Sequence, residues 1–150
     1  MTFSLYRPQS HGAPTSLLLA LKLPETLAEA HRMIIRGLNA SLVRQMAKES
    51  RLDEAMLCRM AGIDRNTYSR RLNSASQLFS AEQGGRIYTL GRVLSAASQL
   101  FNGDTERMAA WLNTPAKGLG GQKPADMTST PAGAEAVLNL IGQIEHGVIT

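Results

Sequence analysis

Leu57-Cys58-Arg59-Met60-Ala61-Gly62-Ile63-Asp64-Arg65-Asn66-Thr67-Tyr68-Ser69-Arg70-Arg71-Leu72 has the composition of two short helices meeting at a tight turn. Cys58 is the small residue that lets two helices cross closely. Gly62 supplies the backbone freedom that such a turn needs, and Ile63 follows it as an apolar anchor. Asp64 is placed to cap a helix running from Arg65 to Leu72. On that helix Tyr68 and Leu72 lie four apart and point inward, which leaves Arg65, Asn66, Ser69 and Arg70 outward and Arg71 at the edge. These types suit a duplex. Arg bonds guanine bidentately, Asn bonds adenine, and Ser or Thr, here including Thr67, reaches phosphates or base edges. The spacing therefore predicts a helix-turn-helix whose second helix carries Arg65, Asn66, Thr67, Ser69, Arg70 and Arg71 as its DNA-contacting set. A plain helical hairpin with a solvated Arg face is the competing reading.

The charge distribution agrees with a polyanionic partner. The 150 residues carry a net +4. Residues 1–72 hold eleven Lys/Arg against six Asp/Glu, whereas residues 73–150 hold five against six. Only the N-terminal half is drawn to nucleic acid.

Helical periodicity extends in both directions from this centre. Upstream, Leu27, Ala30, Ile34 and Leu38 recur at helix spacing up to Gly37, and a second helix is expected from about Ala40 to Ser50. Asp53 caps the helix that enters the turn. Downstream, Ser80-Ala81-Glu82-Gln83 forms a capping box for a long helix with Ile87, Leu90, Val93, Leu94, Ala97 and Leu100 on one side. Gly84, Gly85 and Gly91 weaken that helix, so tertiary contact must hold it. Asp104 opens a further helix, and Thr130-Pro131 opens the last. Aromatic residues make up only 5% of the chain, which favours aliphatic helix packing over sheet. The expected class is all-α: a helix-turn-helix N-terminal half packed on a small helical C-terminal domain. The division expected is a partly ordered leader over 1–24, a DNA-binding and dimerisation region over 25–102, and a C-terminal unit over 103–150.

Chemistry is scarce. His11, His31 and His146 lie far apart, and Cys58 is the sole cysteine. No metal-ligand cluster, nucleophile couple or phosphate-cradling loop after a strand is present, so neither an enzyme nor a cofactor is expected. The apolar run Leu17–Leu21 is too short to span a bilayer, and the leader lacks the layout of a secretion signal. A cytoplasmic protein is expected.

The C-terminal third has a different texture. Trp111-Leu112-Asn113-Thr114-Pro115, Leu119-Gly120-Gly121-Gln122-Lys123-Pro124, Thr130-Pro131-Ala132-Gly133 and Ile141-Gly142-Gln143-Ile144-Glu145-His146-Gly147-Val148 follow one another in an order and spacing that resembles the toxin-binding domain of the Xre/MbcA/ParS antitoxins. Leu57–Leu72 resembles the Xre-like DNA-binding part of that family, and the similarity covers about residues 25–150. The resemblance implies an antitoxin encoded beside a toxin of the RES fold that depletes NAD⁺. It implies a C-terminal domain covering the toxin's active-site cleft, an N-terminal half that binds the operon promoter in double-stranded DNA, and a homodimer formed through the N-terminal helices. The residues singled out for toxin contact are Leu119, Gly120, Gly121, Pro124 and Met127 in the loop, and Glu145, His146, Val148, Ile149 and Thr150 in the tail. Glycines there allow close backbone approach, and the prolines limit the loop's freedom before docking. A stand-alone repressor whose C-terminal unit senses a small molecule or only dimerises is the alternative. An adaptor sharing the same C-terminal domain is a second one.

Overall fold

The computed structural model describes residues 16–147. The expectations for the leader before residue 16, and for Val148, Ile149 and Thr150, lie outside the described residues. Within them the chain is all-α. The helices are α1 (Leu17–Ala20), α2 (Leu27–Arg36), α3 (Leu42–Ser50), α4 (Glu54–Ala61), α5 (Arg65–Leu72), α6 (Ala81–Leu100), α7 (Thr105–Leu112), α8 (Pro124–Met127) and α9 (Pro131–Glu145), with a 3₁₀ turn at Lys117–Leu119. Two isolated antiparallel bridges, Asn39 with Leu78 and Ala116 with Gln122, pin loops and build no strand.

Helix α6 is the spine. The capping box at its start is complete: Ser80 accepts from the Gln83 amide, and the Gln83 side chain accepts from the Ser80 amide. Along it Ile87, Leu90, Val93, Leu94 and Ala97 are buried, and α1, α2, α3, α4, α7 and α9 all pack against it. Two of its three glycines, Gly84 and Gly91, stand where neighbours pack closely, while Gly85 has open space beside it. A Cβ on Gly91 would stand 3.4 Å from side-chain carbons of both Leu18 and Leu23, so the absent side chain makes room for α1 and the segment after it. Tyr88 ties that segment down by donating its hydroxyl to the Pro24 carbonyl at 2.6 Å. Residues Leu17, Leu18, Leu21 and Leu23 thereby join the core.

Five of the other helices, α2, α4, α5, α7 and α9, start where hydrogen-bonding caps stand. Thr26, Asp53, Asp64, Asp104 and Thr130 each accept from an amide in the first turn of the helix they precede. Such caps satisfy amides with no partner inside the helix, and each contributes about 1 kcal/mol. Helices α3 and α4 pack on one part of the spine and α5 packs on α4, while α7, α8 and α9 close the other end over Met108, Leu112, Val137, Leu140 and Ile141.

Candidate functional site

The turn between α4 and α5 is the centre of the DNA-reading unit. Gly62 ends α4 in the left-handed region at φ 71° and ψ 31°. It is held there from outside as well as by its own turn. A Cβ at Gly62 would lie 2.7 Å from an Arg86 terminal nitrogen and 2.9 Å from the Ser129 carbonyl oxygen. Cys58 is 1% exposed at the crossing, and Ile63 and Tyr68 are buried beside it. Burial pushes the Cys58 thiol above its ordinary value, with the nearby Arg65 opposing.

On α5 the structure places Arg65, Asn66, Ser69 and Arg70 at the surface, with Thr67 and Arg71 half-buried. Arg70 donates to the Thr67 hydroxyl at 3.2 Å, joining two of the set. Arg71 turns inward and donates to the Leu78 carbonyl at 3.3 Å, so it supports the loop after α5. Tyr68 faces the other way: its hydroxyl donates to Glu54 Oε1 at 2.7 Å. Burial first, then this bond to the carboxylate, raise the Tyr68 phenol above its usual value. Arg44 on α3 approaches the same carboxylate, with Nε 3.8 Å from Oε2. Sequence reading left Glu54 and Arg44 out of the site. The only local signal for Glu54 is an acidic residue in a first helical turn, which the helix dipole explains by itself.

The second surface lies at the other end. Between α7 and α8 the chain folds back at Ala116–Gln122, where the Ala116 amide donates to the Gln122 carbonyl at 3.0 Å and the Gly121 amide to the Ala116 carbonyl at 2.9 Å. Gly120 and Gly121 form the tip at φ 65° and 85°, exposed, with open space where side chains would be. Leu119 points inward, 8% exposed, and Pro124 is buried too. Met127 is half-buried against the core. What the loop exposes at its tip is therefore glycine backbone, flanked by the exposed Lys117 and Lys123. Glu145 and His146 stand exposed at the end of α9, and the His146 ring Nδ1 lies 2.7 Å from the Gly142 carbonyl. Trp111 is half-buried beside Phe101, ring centroids 6.1 Å apart, and Arg107 covers the Phe101 ring at 5.5 Å.

The two surfaces share one seam. Thr128 is buried and donates its hydroxyl to the Met60 carbonyl at 2.8 Å, in the last turn of α4. Arg86 donates to the Ser129 carbonyl at 2.8 Å and lies 3.6 Å from Glu82. Among the described residues no group of three or more His, Cys, Asp or Glu could hold a metal ion, and no helix is long and apolar enough to cross a membrane.

This geometry defines a class, a helix-turn-helix protein carrying a second helical module with an exposed glycine-tipped loop. The comparisons resolve it further. Residues 29–92 match the model of the antitoxin Xre-like helix-turn-helix domain, and residues 96–147 match that of the antitoxin Xre/MbcA/ParS C-terminal toxin-binding domain. Antitoxin Xre of Photorhabdus laumondii is 39% identical over 114 residues, 76% of each chain, and Antitoxin Xre of Yersinia enterocolitica is 33% identical over the same extent. The chain belongs to the Xre antitoxin family, a family of DNA-binding and toxin-binding proteins.

Proposed function

We propose that this protein neutralises a RES-type, NAD⁺-depleting toxin by seating the Gly120–Gly121 tip and the segment from Glu145 onward against the toxin's cleft, and that it represses its own operon through α5. The observation that carries the first half is the tip itself. It is a stapled loop whose two tip residues, Gly120 and Gly121, are exposed and have no side chains, so another backbone can come close to the tip, and its ordering cost is already met by the Ala116–Gln122 bridge. The second half rests on Arg65, Asn66, Ser69 and Arg70 standing exposed on one helix after a tight turn. Homodimerisation is supported by α2, where Leu27 and Ile35 are 63% and 61% exposed at positions eight apart on one stripe.

Co-expression with the product of the adjoining gene tests inhibition. Deleting the C-terminal helices is the wrong perturbation, because α9 is a main partner of α6 and its removal would strip the core. Gly120→Asn with Gly121→Asn is the right one. Asn tolerates the left-handed region, and the added side chains meet nothing within this chain. The double variant is expected to fold and to lose growth rescue. Full rescue by it would refute the tip as the contact. For the operator, Arg65→Glu with Arg70→Glu is expected to abolish a mobility shift while leaving helical content intact. A shift that persists would refute α5 as the reading helix.

A further inference from the structure

In a helix-turn-helix docked on a duplex the second helix enters the major groove while the first crosses the phosphate backbone. The N-terminal end of that first helix ordinarily welcomes a phosphate, through its free amides and dipole. Here the same end carries two carboxylates, Asp53 and Glu54. Asp53 is turned onto its own helix, accepting from the Met56 amide at 2.7 Å. Glu54 would repel a phosphate unless its charge were covered.

It is covered on both oxygens. Oε1 accepts from the Tyr68 hydroxyl at 2.7 Å, and Oε2 faces Nε of Arg44 at 3.8 Å. The Arg44 side chain is 64% exposed, and among the described residues no hydrogen bond or ion pair occupies its two terminal nitrogens. Guanidinium donors diverge in one plane, so an arginine engaged with a carboxylate through Nε can still present its other edge to an anion. An ion pair this long and this exposed adds little to the fold, because solvent screens it and the long side chain must be ordered. Its geometry suits another use.

We propose that Arg44 grips a DNA phosphate, aimed by Glu54, and that the Tyr68–Glu54 bond sets the angle of α5 relative to that grip. The proposal rests on the operator-binding reading given above. Arg44, Glu54 and Tyr68 come from α3, α4 and α5 in turn, so one carboxylate fixes the positions of a backbone anchor and a reading helix together.

The test measures binding of the full-length protein to a labelled duplex of the DNA upstream of its own gene, and to a shuffled duplex of equal length, across a salt series. Arg44→Ala is expected to weaken both complexes several-fold and to flatten the plot of log affinity against log salt by about one unit for each protomer bound, as loss of one phosphate contact per protomer requires. Arg44→Lys keeps the charge and is expected to keep the slope. Tyr68→Phe is expected to leave the slope alone and to reduce the ratio of upstream to shuffled affinity several-fold, which a purely structural role would not do. An unchanged slope for Arg44→Ala overturns the phosphate grip, and an unchanged ratio for Tyr68→Phe overturns the positioning role. If the unmutated protein binds neither duplex in a salt-dependent way, the operator reading falls and takes Arg44 with it. That outcome differs visibly from a competent protein insensitive to Arg44. Because Arg44 is exposed, its variants are expected to unfold at the temperature of the parent.

Discussion

Replacing Thr128 by Val separates hydrogen bonding from packing at the seam between the two surfaces. The Thr128 hydroxyl donates at 2.8 Å to the Met60 carbonyl, and the residue is 6% exposed. Met60 lies in the last turn of α4, where carbonyls have no partner within the helix. Among the described residues no backbone amide reaches that oxygen, since the Gly62 and Ile63 amides turn to Arg59 and Cys58. Val has the shape of Thr and keeps its methyl group, so the change leaves a buried acceptor bare without opening a cavity. A bare buried acceptor costs about 1–3 kcal/mol. For a chain of this size each kcal/mol moves the unfolding midpoint by about 2–4 °C, so a loss of about 2 kcal/mol lowers it by roughly 4–8 °C.

The control is Thr128→Ser, which keeps the donor and loses the methyl, at about 1 kcal/mol. Thermal unfolding followed by circular dichroism is therefore expected to rank the parent above Ser and Ser above Val. If packing alone held the seam the order would reverse, with Val near the parent and Ser lowest. That reversal would refute the assignment of Thr128 as the cap of α4. Amide exchange adds a local readout, since protection at Arg59–Gly62 is expected to fall in Val and not in Ser.

Glycine positions and the Tyr68 environment carry the remaining expectations. Gly133→Ala is expected to cost about 3 kcal/mol or more in urea unfolding, because a Cβ there would collide with the Met127 carbonyl, whereas Gly85→Ala, with nothing within 4 Å, is expected to stabilise by about 0.5–1 kcal/mol through helix propensity. Gly62→Ala meets a left-handed backbone at φ 71° together with Arg86 and Ser129, and is expected to lower stability by about 2 kcal/mol in the same assay. The raised Tyr68 phenol means the folded state holds its proton longer than the unfolded chain, so this contribution is complete below the ordinary tyrosine value of 10.0 and is lost as pH rises beyond it. Urea midpoints taken from pH 8 to 11 should show a decline at the alkaline end that is shallower in Tyr68→Phe, and an equal decline in both proteins would contradict the environment described for Tyr68.

What could be read in advance, and what could not, divides by range along the chain. The caps at Asp53, Asp64, Ser80, Asp104 and Thr130 were legible because a cap acts within three residues of itself. The exposed set on α5 was legible for the same reason: helical geometry alone decides which way Arg65, Asn66, Ser69 and Arg70 face. Leu119 shows where local reading stops. In a glycine-rich loop no period assigns a side chain to one face, and only the Ala116–Gln122 bridge turns it inward. The seam is further out of reach, since Thr128 meets Met60 across 68 residues and Arg86 meets Ser129 across 43. Thr128 and Ser129 are ordinary loop residues until those partners are known. Yet these bonds set the character of the molecule. Thr128, a few residues past the glycine loop, completes the end of α4, and Gly62 must be glycine partly because Ser129 and Arg86 press against it. The helix-turn-helix and the glycine loop look separable in the sequence, yet they are parts of one packed structure. On the proposed roles, point changes at exposed residues are expected to silence one function and spare the other, whereas any cut through α8 or α9 removes support from the turn before α5.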